Sequence, residues 1–123
     1  MHIQFAELPV SDQDRAKAFY VRHFGCVEVA DMPLGSSDGW RWIELGFAGS
    51  QTHLHFHRRD RMHLVEGEPV MVLIDPGLAE TVARLRDAGV EIVTEPGPAP
   101  YDPSLTTAEF RDSEGNRMVL SSK

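Results

Sequence analysis

The sequence predicts an α+β fold made of two tandem βαβββ modules, and three observations carry that prediction. Apolar residues alternate at period two in many short runs but recur at helical spacing in only two places, so strands outnumber helices. The pattern repeats at constant pitch: Gly25 and Gly89 stand 64 residues apart, as do the strand ends Val10 and Ile74, and Val27-Glu28-Val29 answers Glu91-Ile92-Val93. Finally, Thr52-His53-Leu54-His55-Phe56-His57-Arg58 sets histidine against apolar residues in strict alternation, the mark of a strand with one face in a core. Because half of such a repeat does not bury its own sheet face, one domain over residues 1–123 is expected, with modules at about 2–58 and 69–122 and a linker at 59–68.

Each element has a local reason. From Ile3 to Val10, Ala6, Leu8 and Val10 alternate with Phe5, Glu7 and Pro9, which reads as a strand. Ser11 with Asp14 three residues on suggests a capping box, and Ala16, Phe19, Tyr20, His23 and Phe24 then share a helical face that Gly25 ends. Cys26 to Met32 reads as a second strand, Pro33 to Gly39 as a loop of turn formers, and Trp40 to Ala48 as a third strand with Ile43, Leu45 and Phe47 opposing Trp42 and Glu44. The histidine strand follows. Arg59 to Glu68 is charged and aperiodic, so it reads as the linker, with the basic cluster Arg58-Arg59-Asp60-Arg61 solvated. The second module runs from a strand at Pro69–Ile74 through Asp75 as N-cap and Pro76 as first helical residue to Leu78, Val82 and Leu85 on one helix face. A strand at Val90–Thr94, a proline-stiffened loop over Pro96–Pro103 carrying Tyr101, and strands at Thr106–Arg111 and Arg117–Ser121 complete it.

Composition removes several classes of function. A net charge of −7 and a pI near 5.2 give no basic footprint for a phosphate backbone, so nucleic acid is not an expected partner. The longest apolar run, Val70 to Ile74, is far short of the ~20 residues of a membrane span. With one cysteine, Cys26, and no apolar leader in the first twenty residues, a reducing cytoplasm is the expected setting. Cys26 itself reads as a small buried hydrophobe, with a reactive thiol as the alternative. Phosphate-binding glycine loops, CxxC pairs and serine nucleophile elbows do not occur.

The Val10-Ser11-Asp12, Ala18-Phe19-Tyr20 and Phe24-Gly25 segments, with Leu85-Arg86-Asp87-Ala88-Gly89-Val90 and Phe110 to Asn116 in the second half, resemble the vicinal oxygen chelate superfamily of glyoxalase I, bleomycin-resistance proteins and extradiol dioxygenases. The resemblance covers essentially the whole chain. It implies that each module forms half of a curved, cup-like mixed sheet with helices outside and the site on the concave face. It also implies homodimerisation. On that basis Phe5, Glu7 and Pro9 face the cup, as do His53, His55 and His57. The positions at which the family's metalloenzymes carry ligands correspond to Phe5, His55, Pro69 and Val119, of which only His55 can bind a metal, so no metal cofactor is expected.

Two functions of different kind follow. One is a small-molecule binder or sequestering protein of the bleomycin-resistance type, with Phe5, Trp40, Trp42 and Tyr101 as aromatic walls beside the histidines and Glu7. The tryptophans read equally well as strand packing or a dimer contact, and Tyr101 either as a lid or as an ordered loop residue. The other is a lyase, isomerase or dioxygenase with a displaced Zn, Fe, Mn or Ni site using His53, His55 and Glu7 or Glu109. All three histidines on one ion is harder, because strand rise separates the outer pair by about 13 Å at the backbone. A Glu7–His55 pair also suits a metal-free general base. A purely structural or interaction domain is the third reading.

Overall fold

The structure is a computed structural model that describes all residues, 1–123. Its elements are β1 (Phe5–Val10), α1 (Gln13–Phe24), β2 (Val27–Pro33), β3 (Arg41–Gly46), β4 (His53–Arg58), β5 (Met71–Ile74), α2 (Leu78–Asp87), β6 (Ile92–Ala99), β7 (Asp102–Arg111) and β8 (Arg117–Ser121). They form two tandem βαβββ modules of an α+β fold. The chain divides into compact units at Met1–Leu64 and Val65–Lys123, each holding one four-stranded mixed sheet, in the orders β1-β4-β3-β2 and β5-β8-β7-β6. The β1–β4 and β5–β8 ladders are parallel and the rest antiparallel. No helix is long and apolar enough to cross a membrane.

In the first unit, Ala6 pairs with Leu54 and Leu8 with Phe56, while Leu45 on β3 pairs with Leu54 from the other side. Leu8, Val10, Ile43, Leu45, Leu54 and Phe56 are buried, as are Ala16 and Tyr20 of α1. The capping residue of α1 is Asp12, one place after Ser11: its carboxylate accepts the Arg15 amide at 3.0 Å, which satisfies one of the open N–H groups of the first turn. Gly25 ends the helix at φ 64°, where a Cβ brings strain and glycine none. Gln13 fastens the start of the helix to the sheet by exchanging two hydrogen bonds with the Arg41 backbone, at 2.7 and 2.9 Å. Beside it, Asp31 accepts from Arg41 Nε at 2.8 Å and from Lys17 Nζ at 2.9 Å, tying α1, β2 and β3 together. Cys26 is buried behind the helix, and burial pushes its thiol up to about 12, so it packs as a hydrophobe and is not a reactive thiolate.

The second unit repeats this plan with one displacement. Its fourth strand keeps the 64-residue pitch, because Met118 and Leu120 are buried as Leu54 and Phe56 are. Its first strand does not. Met71 pairs with Met118 and Leu73 with Leu120, so Met71 and Leu73 take the core face that Ala6 and Leu8 take in the first unit, a pitch of 65. A one-residue slip turns every side chain of a strand to the other face. Val72 and Ile74, which the uniform pitch matches to Leu8 and Val10, are accordingly 53% and 63% exposed and share the face of Val119.

Three expectations at element boundaries are corrected. Asp75 is not the residue that begins α2: the N-cap is Gly77, and Asp75 instead holds the preceding turn through the Gly77 amide (2.9 Å) and the Thr81 hydroxyl (2.5 Å). The segment Pro96–Pro103 is not an irregular loop, since β6 continues through Pro96, Gly97 and Pro98 to Ala99 and β7 starts at Asp102. Prolines are tolerated there because β6 lies at the sheet edge, and its ladder to β7 breaks register three times. Arg58 is not a solvated linker residue but the last residue of β4, ion-paired with Asp38, and Arg59–Arg61 form a short 3-10 turn.

Phe56→Ala is expected to cost roughly 3–5 kcal/mol of unfolding free energy in urea titrations, the usual range for emptying a fully buried aromatic site. Arg41, with Lys17 helping and burial opposing, holds the Asp31 carboxyl below its ordinary value of 3.8. The stabilisation from this network is therefore present above about pH 4, where the unfolded carboxyl is ionised, and drains away as pH falls through the lower folded value. Asp31→Asn should lose about 1 kcal/mol at pH 7, and the gap between wild type and variant should close as the titration is repeated at successively lower pH.

Candidate functional site

Because paired residues in neighbouring strands share a face, the β1–β4 register decides what stands beside the histidines. Phe5 pairs with His53, Glu7 with His55 and Pro9 with His57. On the other flank Glu44 pairs with His55, and Trp42 lies two residues before it on the same face of β3. The face opposite the core of the first unit thus brings together Phe5, Glu7, Trp42, Glu44 and the three histidines, with His55 at the centre.

His55 is held on every side. Its Nδ1 lies 2.7 Å from Glu7 Oε2, and its ring sits between Trp42, at 4.0 Å between centroids, and Phe5, at 4.8 Å. Phe5 and Trp42 meet edge to face at 5.7 Å, an arrangement that suits the ring quadrupoles. The residue is only 7% exposed. Its Nε2 makes no hydrogen bond within the chain, and no buried side-chain nitrogen or oxygen lacks a partner, so Nε2 is open to the surface. A carboxylate only accepts, which makes Nδ1 the protonated nitrogen and leaves the lone pair of the neutral ring on Nε2. His57 is more exposed, with Nδ1 4.0 Å from the same Glu7 oxygen.

Glu44 is the residue of the site that sequence reasoning missed. Its two oxygens divide their work: Oε1 faces His53 Nδ1 at 3.1 Å and Oε2 accepts the Trp42 indole N–H at 2.9 Å. Burial works to raise its pKa, but the bonds from Trp42 and His53 and the nearby His53 and His55 outweigh it, and the carboxyl is held below its ordinary value. The signal was present in the alternation of β3, which puts Glu44 with Trp42 on the face opposite Ile43 and Leu45. Next to it, Gly46 keeps the floor clear, since a Cβ there meets Val29 Cγ2 at 3.1 Å and the His53 ring at 3.7 Å.

Of the remaining candidates, Trp40 is in the first unit and Tyr101 and Glu109 are in the second. Trp40 precedes β3 and carries the Arg58 guanidinium over its ring at 4.7 Å, while Arg58 also pairs with Asp38. That cation–π stack occupies one face of the indole. Nearby, an open polar hollow of about 260 Å3 at the start of α1 is lined by Asp12, Asp14, Asp38 and Trp40 among others and includes none of the histidines. Tyr101 belongs to the second unit, at the turn between β6 and β7, and is 73% exposed. Glu109, also in the second unit, is held by Arg117 through both oxygens, at 2.5 and 3.1 Å, so its carboxylate is already committed to a cation.

The residues do not assemble a metal-ligand set. No three of the histidine, cysteine and acidic side chains are disposed to hold an ion. In the displaced arrangement of His53, His55 and Glu7, the Nδ1 atoms are turned to two different carboxylates, and Glu7 already binds the imidazole it would join as a ligand. Of the positions aligned with the family's ligands, Phe5, Pro69 and Val119 have no donor side chain, and the pitch of 65 in the first strand means that Val72, not a residue in step with Pro69, stands beside Val119.

Comparison with known proteins gives one family. The sequence profile of the Glyoxalase/Bleomycin resistance protein/Dioxygenase superfamily matches residues 2–120. TnmS3 from Streptomyces sp. CB03234, described as an antibiotic binding protein, is 30% identical, with 98% of this chain and 93% of that chain covered at a TM-score of 0.79. A superfamily member from Sphaerobacter thermophilus DSM 20745 is 25% identical over 98% of this chain and 96% of that one, at a TM-score of 0.82. YetH of Bacillus subtilis (strain 168) is 27% identical over 112 residues, 90% of this chain and 89% of its own. With the profile running from the second residue almost to the last strand, the chain belongs to the Glyoxalase/Bleomycin resistance protein/Dioxygenase superfamily.

Proposed function

We propose that this protein binds and sequesters a small planar molecule on the histidine face of its first unit, without a metal. The observation that carries the reading is the His55 imidazole clamped between Phe5 and Trp42, oriented by Glu7, with its outer nitrogen free. A binding site needs aromatic surface for stacking and a few fixed polar groups for orientation, and this face supplies both from strands rather than loops. The likeness to an antibiotic binding protein at 30% identity over nearly the whole chain supports a ligand of drug size. The ligand set described above, with one donor among the four aligned positions, supports the metal-free form.

A second reading rests on the same 2.7 Å contact. A carboxylate that fixes an imidazole tautomer and leaves Nε2 bare is how a general base is built, so proton abstraction from a bound substrate is the enzymatic alternative. Metal-assisted chemistry has no comparable support from the residues.

Calorimetric titration with a panel of planar aromatic antibiotics and polyphenols tests the binding reading. At least one saturable interaction is expected, weakened roughly tenfold or more by His55→Ala and by Trp42→Ala, as loss of a fixed polar contact or of a stacking wall requires. Absence of saturable binding across the panel would overturn it. Elemental analysis of untagged protein prepared without chelators is expected to find no stoichiometric zinc, iron, manganese or nickel. A stoichiometric metal lost in His55→Ala would replace this reading with the displaced-site enzyme.

A further inference from the structure

We infer that the site selects ligands that donate hydrogen bonds, such as phenolic hydroxyl or ring N–H groups, over ligands of the same shape that only accept, and that Glu7 and Glu44 are the positioning residues responsible. The inference rests on the binding reading above and adds to it the chemistry of the ligand.

Two imidazoles on one strand, at i and i+2, each have Nδ1 directed at a different carboxylate: His55 at Glu7 and His53 at Glu44. An ionised carboxylate has acceptor atoms only, so each Nδ1 carries its proton and each neutral ring must present a lone pair at Nε2. Neither Nε2 has a partner in the chain. Glu44 is fixed in turn by the Trp42 indole, which donates to its second oxygen and so resists rotation of the carboxylate away from His53. The face that carries Phe5 and Trp42 therefore offers two imidazole acceptors, on residues about 6.7 Å apart along the strand.

The other polar groups facing the ladder add two carboxylate acceptors and one imidazole whose tautomer is not fixed. They are the carboxylates of Glu7 and Glu44 and the third imidazole, His57, while the indole N–H of Trp42 is used up by Glu44. No lysine or arginine contacts this set: Lys17 and Arg41 are spent on Glu28, Asp31 and Asp14, and Arg58 on Asp38 and the Trp40 ring. On this face of the first unit a carboxylate or sulfonate ligand meets two carboxylates and no cation paired with them, and a ketone or methyl ether finds a donor only at His57, whose ring no hydrogen-bonded carboxylate fixes. A hydroxyl finds a bare nitrogen already aimed outward. A buried acceptor left unmatched costs the desolvation of that group, which is why the discrimination falls on hydrogen-bond polarity more than on shape.

Two measurements on the intact chain test this. Histidine-selective 15N labelling, read above about pH 8 where ordinary imidazoles are neutral, distinguishes protonated from bare ring nitrogens. The resonances of His53 and His55 are assigned by their loss in His53→Gln and His55→Gln. The expected result is Nδ1 protonated and Nε2 bare in both rings. An Nε2-protonated tautomer in either would overturn the assignment of its carboxylate, with no need of a ligand or of a further variant. Calorimetric titration with a naphthalenediol, its dimethyl ether and the matching naphthalenedicarboxylate then reads the preference. The diol is expected to bind roughly tenfold tighter than the ether and tighter still than the dicarboxylate. Glu7→Gln, whose amide can donate to Nδ1 and free the other tautomer, should shrink the diol-to-ether ratio and show new Nε2 protonation at His55. A purely structural role for Glu7 would weaken diol and ether alike and leave the nitrogen shifts unmoved. Equal binding of diol and ether by the wild type would overturn this inference while leaving the small-molecule reading in place. Binding of none of the three, with the antibiotic panel also silent, would overturn both.

Discussion

The parallel ladder between β1 and β4 is the constraint on which the rest of the first unit depends. It sets Leu8 against Phe56 on one face and Glu7 against His55 on the other, and these two pairings are not independent. Burying side chains of the size of Leu8, Leu54 and Phe56 stabilises by about 1.5–3 kcal/mol each, and together they outweigh the polar face, where a hydrogen bond to a charged group is worth about 1.5–3 kcal/mol at most. The apolar side therefore selects the register, and the carboxylate–imidazole geometry is carried along with it. Geometry built this way inherits its precision from the core, since the packing of Leu8, Leu54 and Phe56 sets the register that brings Glu7 beside His55.

The second unit shows what happens when the apolar pattern does not choose. Val70 to Ile74 is apolar throughout, so either alternate set could have faced the core, and counting residues from the first unit picks the wrong one. Packing against Met118 and Leu120 decides it, one residue out of step. In β1 the interruption of the apolar set by Glu7 made the face legible; in β5 nothing interrupts it. The third and fourth strands nevertheless preserve a motif across the two units. The pair Arg117–Glu109 stands where His53–Glu44 stands, a cation or imidazole opening the fourth strand and a carboxylate on the third. In the second unit that carboxylate is satisfied at both oxygens by a guanidinium, and in the first it is left to orient a titratable ring.

Much of the fold was readable because its signals are local. Gly25, the Asp112–Asn116 turn and the burial of Leu78, Val82 and Leu85 follow from backbone conformation and helical periodicity, which need no knowledge of partners. The turn is closed by Asp112 accepting the Glu114 and Asn116 amides, as its composition suggests. What was not readable depended on neighbours. Pro96 and Pro98 look like loop residues until β6 is known to be an edge strand, and Arg58 looks solvated until Trp40 and Asp38 are placed beside it. The histidine face was legible as a face, alternation grouped Phe5 with Glu7, and the family resemblance put that pair on the side of the histidines. Glu44 escaped because alternation groups it with Trp42 but does not show that it faces His53, a diagonal contact that depends on the pairing of β3 with β4.

The edges of the two sheets are unequally guarded. β1 carries Pro9, β2 has a bulge between Glu28 and Ala30 and ends at Pro33, and β6 carries Pro96 and Pro98 with three breaks in register. Missing amide protons and local kinks deny an incoming strand a regular template. β5 has neither: Met71–Ile74 is a straight, uncharged, proline-free run whose Val72 and Ile74 stand well exposed. In a chain otherwise protected against strand-to-strand growth, this four-residue edge is where unwanted polymerisation would begin, and where a single lysine would do most to keep the protein in solution.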